Sequence, residues 1–215
     1  MNFNDIVEKS KAHFPKLNIK FKNESLLMKV LGTVLFFNTN FKTKFITTLG
    51  NTVYFPSETF IKVLELNSIA FLLHELVHIY DSKRYSHIIF SFLYLFPQSL
   101  IIFTPLLLLV SWKLFIIAAI ICLLPIPSYF RMKFEMRAYL VSLYVLYKLG
   151  ETLDIDVKLE KQKNFFIKTF KDGSYYFMYP FNSIDNQIES GLILIKQGKR
   201  PYEDKVFDII DDILN

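Results

Sequence analysis

Apolar and polar positions follow three different rhythms along this chain. From Leu72 to Tyr80 the apolar residues Leu72, Leu76, Val77, Ile79 and Tyr80 recur at helical spacing, with no Pro or Gly between them. Upstream, Asn18 to Phe21 alternates as a short strand does. Leu26 to Phe37 is apolar but interrupted by Lys29, which predicts a buried amphipathic helix beginning near Asn23-Glu24. A charged segment precedes it and no small-residue cleavage pattern follows, so it does not read as a signal peptide. Phe41 to Leu49 and Thr52 to Phe55, rich in β-formers, flank Gly50-Asn51 and predict a hairpin with Thr52–Phe55 at the sheet edge. Pro56-Ser57-Glu58 then supplies a break, an N-cap and an acidic first turn, so helix follows.

The third rhythm is unbroken apolarity. From Ile88 to Phe130 the only charged residue is Lys113. As one helix, Ile88 to Val110 would be roughly 35 Å long, enough for a hydrocarbon core of about 30 Å. Ser111-Trp112-Lys113 forms a polar break with an interfacial aromatic. Leu114 to Phe130 would be a second leg of roughly 26 Å. Pro97, Pro105, Pro125 and Pro127 kink both legs. The expectation is an inserted transmembrane or re-entrant hairpin over residues 88–130 within a single domain of residues 1–215. After Gly150, Val157–Phe170, Ile184–Lys196 and Glu203–Leu214 show helical spacing. Lys171-Asp172-Gly173-Ser174 reads as a turn. The aromatic run Tyr175–Phe181 reads as packing against neighbouring helices.

Composition sharpens this picture. With 52% hydrophobic residues the chain is more apolar than typical soluble domains, and with 21% charged residues it is not all membrane. Its one cysteine excludes an intrachain disulfide framework and fits a reducing compartment. The net charge of +5 sits in the first fifty residues. No nucleic-acid motif accompanies it, so the charge reads as solvated helix faces or attraction to an anionic membrane surface.

The candidate chemistry lies in the helical stretch. His74 and His78 are one turn apart on one face, so both imidazoles can reach one metal ion. Glu75 is offset by one residue, beside the metal, where it can act as general base toward a metal-activated water. Catalytic zinc usually takes three protein ligands. A histidine six residues beyond His78 would supply the third, but that position is Arg84, and His87 comes three residues too late. Asp81 shares the helix face but would have to reach back along it. Cys122 sits in an apolar run and reads as a small hydrophobe.

The segment His74-Glu75-Leu76-Val77-His78 in its apolar setting resembles the zinc-binding helix of zincin metallopeptidases. Glu135-Met136-Arg137-Ala138, on a second helical stretch, resembles the Glu-x-x-Ala third-ligand motif of the gluzincins. The resemblance implies that His74, His78 and Glu135 hold zinc, that Glu75 activates water, and that a Tyr, His or Arg steadies the oxyanion. Tyr139, one turn beyond Glu135, is a candidate for that last role. The implied fold is α+β, a mainly helical zincin-like domain with a small antiparallel sheet and an inserted hydrophobic hairpin. The implied activity is membrane-associated hydrolysis of peptide or protein substrates. The alternative is a non-catalytic membrane or virion component that keeps a zincin scaffold, against which the intact Glu75 argues. Lys83 and Arg84 before the insertion, and Arg131, Lys133 and Arg137 after it, put the catalytic centre on the cytoplasmic side of the bilayer. Compact proteins of this kind occur in bacteria and bacteriophages, and high Lys and Asn usage with few Arg fits an AT-rich genome of either.

Overall fold

The computed structural model describes residues 2–34, 41–43, 45–124, 126–150, 154–171 and 183–215. It is mainly helical with one small sheet, an α+β arrangement. Helix α1 (Phe3–His13) is opened by a capping box in which Asn2 and Asp5 satisfy each other's backbone N–H. Strand β1 (Asn18–Phe21) follows, then α2 (Leu26–Val34), β2 (Thr47–Leu49) and β3 (Thr52–Phe55). Ser57 caps α3 (Glu58–Val63), accepting the N–H of Phe60 as the Pro-Ser-Glu signal predicted. After α3 come α4 (Glu65–Tyr85) and α5 (His87–Tyr94), a 3-10 helix (Gln98–Leu109), α6 (Trp112–Leu123) and α7 (Tyr129–Leu149). The C-terminal helices are α8 (Ile155–Lys171), α9 (Ser183–Lys196) and α10 (Lys205–Leu214).

The sheet differs from expectation in two ways. The hairpin through Gly50-Asn51 forms, with β2 antiparallel to β3, but β1 joins β3 in parallel, pairing Asn18 with Thr52 and Phe21 with Phe55. The sheet is therefore mixed rather than antiparallel, in the order β1-β3-β2. Thr52–Phe55 is its central strand, and Val53, Tyr54 and Phe55 are buried accordingly. The edge on the hairpin side is β2. Helix α2 is also less buried than its pattern implied: Met28 is enclosed, while Leu26, Leu27 and Val30 face outward.

Helices α4 and α7 form the centre. They pack together, and most of their residues are buried, because α1, α3 and α10 cover α4 while α8 and α9 cover α7. A helix enclosed on all sides loses its amphipathic stripe, which is why both read as broadly apolar. One buried cluster joins residues from α1 through α10 around this pair.

The long apolar run is not two straight legs. Helix α5 stops at Tyr94, and the 3-10 helix leaves at 95° after Leu95–Pro97. Pro97 lacks an N–H and disfavours helix at Phe96 before it. The second leg is shorter than expected, Trp112–Leu123, because Tyr129 and Phe130 already belong to α7. Among the described residues no single helix is long and apolar enough to cross a membrane; only the bent pair of α5 and the 3-10 helix reaches that length and apolarity. Nor is this segment a buried core hairpin: α5 and α6 have no buried residues, and the 3-10 helix buries only Ser99 and Thr104. Its base is tied by Gln98, whose amide donates to the carbonyls of Leu124 (3.2 Å) and Ile126 (3.1 Å). The aromatic run Tyr175–Phe181, the turn Asp172–Ser174, Leu35–Phe37 and Pro125 lie outside the described residues.

Candidate metal centre

Helix α4 carries His74, Glu75 and His78 at the point where α7 packs across it, and α7 brings Glu135 to the same spot. His74 Nε2 lies 3.3 Å from His78 Nε2 and 3.3 Å from Glu135 Oε2, and His78 Nε2 lies 3.5 Å from Glu135 Oε1. All three side chains are buried, and together they could hold a metal ion. Two imidazole nitrogens turned toward each other and toward one carboxylate need a cation or shared protons between them. Burial pushes the His78 imidazole down, but the carboxylates around it, Glu135 foremost with Glu75 and Asp81, together outweigh this and raise it. Burial likewise pushes the Glu135 carboxyl up, while His78 and His74 hold it well below the usual carboxylate range. The site is thus built around the charged form of Glu135.

The surroundings orient these groups. Ser142 Oγ lies 3.4 Å from His74 Nδ1 and within 3.3 Å of the Ala138 carbonyl. In the tautomer where Nδ1–H donates to Ser142, the Nε2 lone pair points at the centre. The Tyr94 hydroxyl donates to Glu135 Oε1, and its ring packs edge-on against His78 with centroids 5.8 Å apart. Arg131 Nε donates to the Tyr94 carbonyl at 3.0 Å. Helix α5 reaches this position because the chain reverses at Ser86, whose φ of 69° is a left-handed conformation that non-glycine residues rarely adopt.

A cleft of about 460 Å³ opens on the three residues. One wall is the edge strand β2 with the residues leading into it. The other is α5, with Phe90, Tyr94 and Leu95, and Glu75 and Arg131 also line it. Lys22, itself buried, braces the first wall from behind, with Nζ donating to the Phe41 carbonyl (2.8 Å) and Thr47 Oγ1 (2.7 Å).

Of the residues singled out by the sequence, His74, Glu75, His78 and Glu135 come together. Asp81 does not join them: it is fully buried against Arg137, which also bridges to Asp204 at 2.6 Å and so ties α4, α7 and α10. Tyr139 packs its ring on His74 (4.8 Å) and stacks on Phe166 (4.2 Å), and it is not among the residues lining the cleft. Cys122 lies on α6, in the apolar segment. Tyr94, Arg131 and Ser142 were missed. Ser142 carried a faint signal, as the only Ser or Thr on α7, two turns beyond Glu135, but Tyr94 was indistinguishable from its apolar neighbours. No protein-family model, curated protein or solved structure matches the chain.

Proposed function

We propose that the protein is a membrane-associated zinc metallopeptidase with a zincin-like arrangement, working at the cytoplasmic face of a bilayer. The observation that carries this reading is the spacing of the three donors. Bonds of about 2.0–2.1 Å to a tetrahedral zinc give ligand-to-ligand edges of about 3.3–3.4 Å, and the separations here are 3.3, 3.3 and 3.5 Å. Two imidazoles with one carboxylate suit zinc, whereas magnesium and calcium prefer all-oxygen sites. A zinc ion there supplies Lewis-acid polarisation of a carbonyl and an activated water.

The remaining work falls to the chain itself. Glu75, on the cleft wall next to His74, accepts the proton that the attacking water gives up and passes it to the leaving amine. Edge strand β2, whose outer side pairs with no other strand among the described residues, offers its backbone to an extended peptide, which would pair with it as an added strand. Arg131, which also lines the cleft, is the cation placed to steady a developing oxyanion. The apolar segment supports membrane association, and the cations flanking it favour the cytoplasmic side.

The test is metal content together with hydrolysis. Purified protein should carry about one zinc per chain, as one three-ligand site requires. His74→Ala and His78→Ala should empty it, and Glu75→Gln should keep zinc while abolishing cleavage of a peptide library. Full zinc occupancy in the double histidine variant would refute the site.

A further inference from the structure

The apolar pair formed by the 3-10 helix and α6 is too short to reach the far side of a bilayer and too apolar to stand in water. Twelve 3-10 residues rise about 24 Å, and twelve α-helical residues rise about 18 Å. The pair's base is fixed where Gln98 grips the carbonyls of Leu124 and Ile126, so neither leg can borrow length from its neighbours. Helix α5 cannot extend the reach, because the chain bends by 95° between it and the 3-10 helix. Standing upright, the pair would leave its tip about 6–12 Å short of the far headgroups in a core of about 30 Å. The tip is Trp112-Lys113, with Lys113 Nζ 5.8 Å from the indole ring. A lysine left inside the hydrocarbon core is costly, whereas a Trp-Lys pair is at home among headgroups.

We propose that the pair enters a single leaflet and lies tilted within it, returning Trp112 and Lys113 to the headgroup layer through which its base enters. This rests on the membrane association proposed above and specifies its geometry. The occupant of the apolar surface is lipid: Ile102, Leu109 and Leu123 are each about two-thirds or more exposed, and no acidic residue lies between Ile88 and Phe130. The cations Lys83 and Lys133 stand outside the two ends of the segment, where anionic headgroups would meet them. Since α5 is at once the lead-in to this pair and a wall of the cleft, the cleft opens at the lipid surface. Its substrate is then a polypeptide segment held at that surface.

Trp112 is the chain's only tryptophan, so its fluorescence reports the tip without labelling. Full-length protein is mixed with vesicles of phosphatidylcholine containing phosphatidylglycerol, some carrying bromine at shallow or deep acyl positions. The expected result is blue-shifted emission, stronger quenching by shallow than by deep bromines, and no quenching by iodide trapped inside the vesicles. Leu109→Glu should weaken vesicle binding by about tenfold or more. Stronger deep quenching, or quenching by trapped iodide, would overturn the tilted single-leaflet placement while leaving membrane association intact. No vesicle binding at all would overturn both. Zinc content, measured on the same samples, reports the metal site independently of either.

Discussion

Lys22 gives the sharpest energetic prediction, because it is a cation enclosed behind the cleft wall. It is 3% exposed, its ammonium lies 4.0 Å from the Phe41 ring centre, and it donates to the Phe41 carbonyl and Thr47 Oγ1. Burial lowers its pKa from 10.5 to about 8, against the opposing pull of Glu75. Below pH 8 both folded and unfolded chains carry the proton, and the folded state bears the full cost of the buried charge. Between pH 8 and 10.5 the unfolded chain keeps the proton that the folded chain has released, so stability rises with pH. The lowering corresponds to about 3 kcal/mol in all, of which about 2 kcal/mol should be recovered between pH 7 and 10. Other groups titrate over that range, so the measurement is a difference. Urea unfolding of zinc-loaded wild type and Lys22→Met is followed at pH 7, 8, 9 and 10. Wild-type stability should gain about 2 kcal/mol on the variant across the series. A difference that stays flat, or that falls with pH, would refute the burial argument.

Two further perturbations probe the site and the core. Tyr94→Phe removes the hydroxyl that donates to Glu135 and should weaken zinc binding by about 10–100-fold in a chelator competition; Tyr139→Phe, whose ring faces Phe166, should change it little. Gly191 on α9 lets that helix approach α7 so closely that a Cβ would come within 2.5 Å of Leu140 Cδ2, so Gly191→Val should destabilise the fold by about 1–3 kcal/mol in thermal unfolding.

What could be read from the sequence was what local spacing encodes. The helix bearing His74 and His78, the Gly50-Asn51 hairpin and the Ser57 cap each depend on residues a few positions apart. Glu135 was legible through its Glu-x-x-Ala setting, and its convergence with the histidines follows from the packing of α4 on α7. The parallel pairing of β1 with β3 left no such mark, because it joins segments about thirty residues apart with α2 and β2 between them. That one non-local pairing moved Thr52–Phe55 from edge to centre and handed the cleft to β2. The path of the apolar run was hidden for a different reason. Apolarity measures what a segment avoids, not its direction, and Pro97 was the only hint of the turn at Phe96. Tyr94 was hidden by the same uniformity, since its role comes from the reversal at Ser86 that folds α5 back over His78.

The position of the insertion between His78 and Glu135 has a consequence that does not depend on any metal. Helices α4 and α7 are the best buried in the fold, and their pairing is secured by the shared core and by the Asp81–Arg137–Asp204 bridge. Everything between Tyr85 and Tyr129 must therefore leave and return at adjacent points. Tyr94 and Arg131 close that gap through the bond from Arg131 Nε to the Tyr94 carbonyl, and Gln98 closes it again one step further out. An odd number of membrane crossings would require α4 and α7 to part, exposing side chains such as Leu73, Leu76, Met136 and Leu140 at about 1.5–3 kcal/mol each. In the proposed membrane arrangement both ends of the insertion then lie on one side, held there by the core of the protein. The bond from Tyr94 to Glu135 then ties the base of the insertion to the candidate metal centre, so a shift of α5 relative to α7 would be felt at the Glu135 carboxylate.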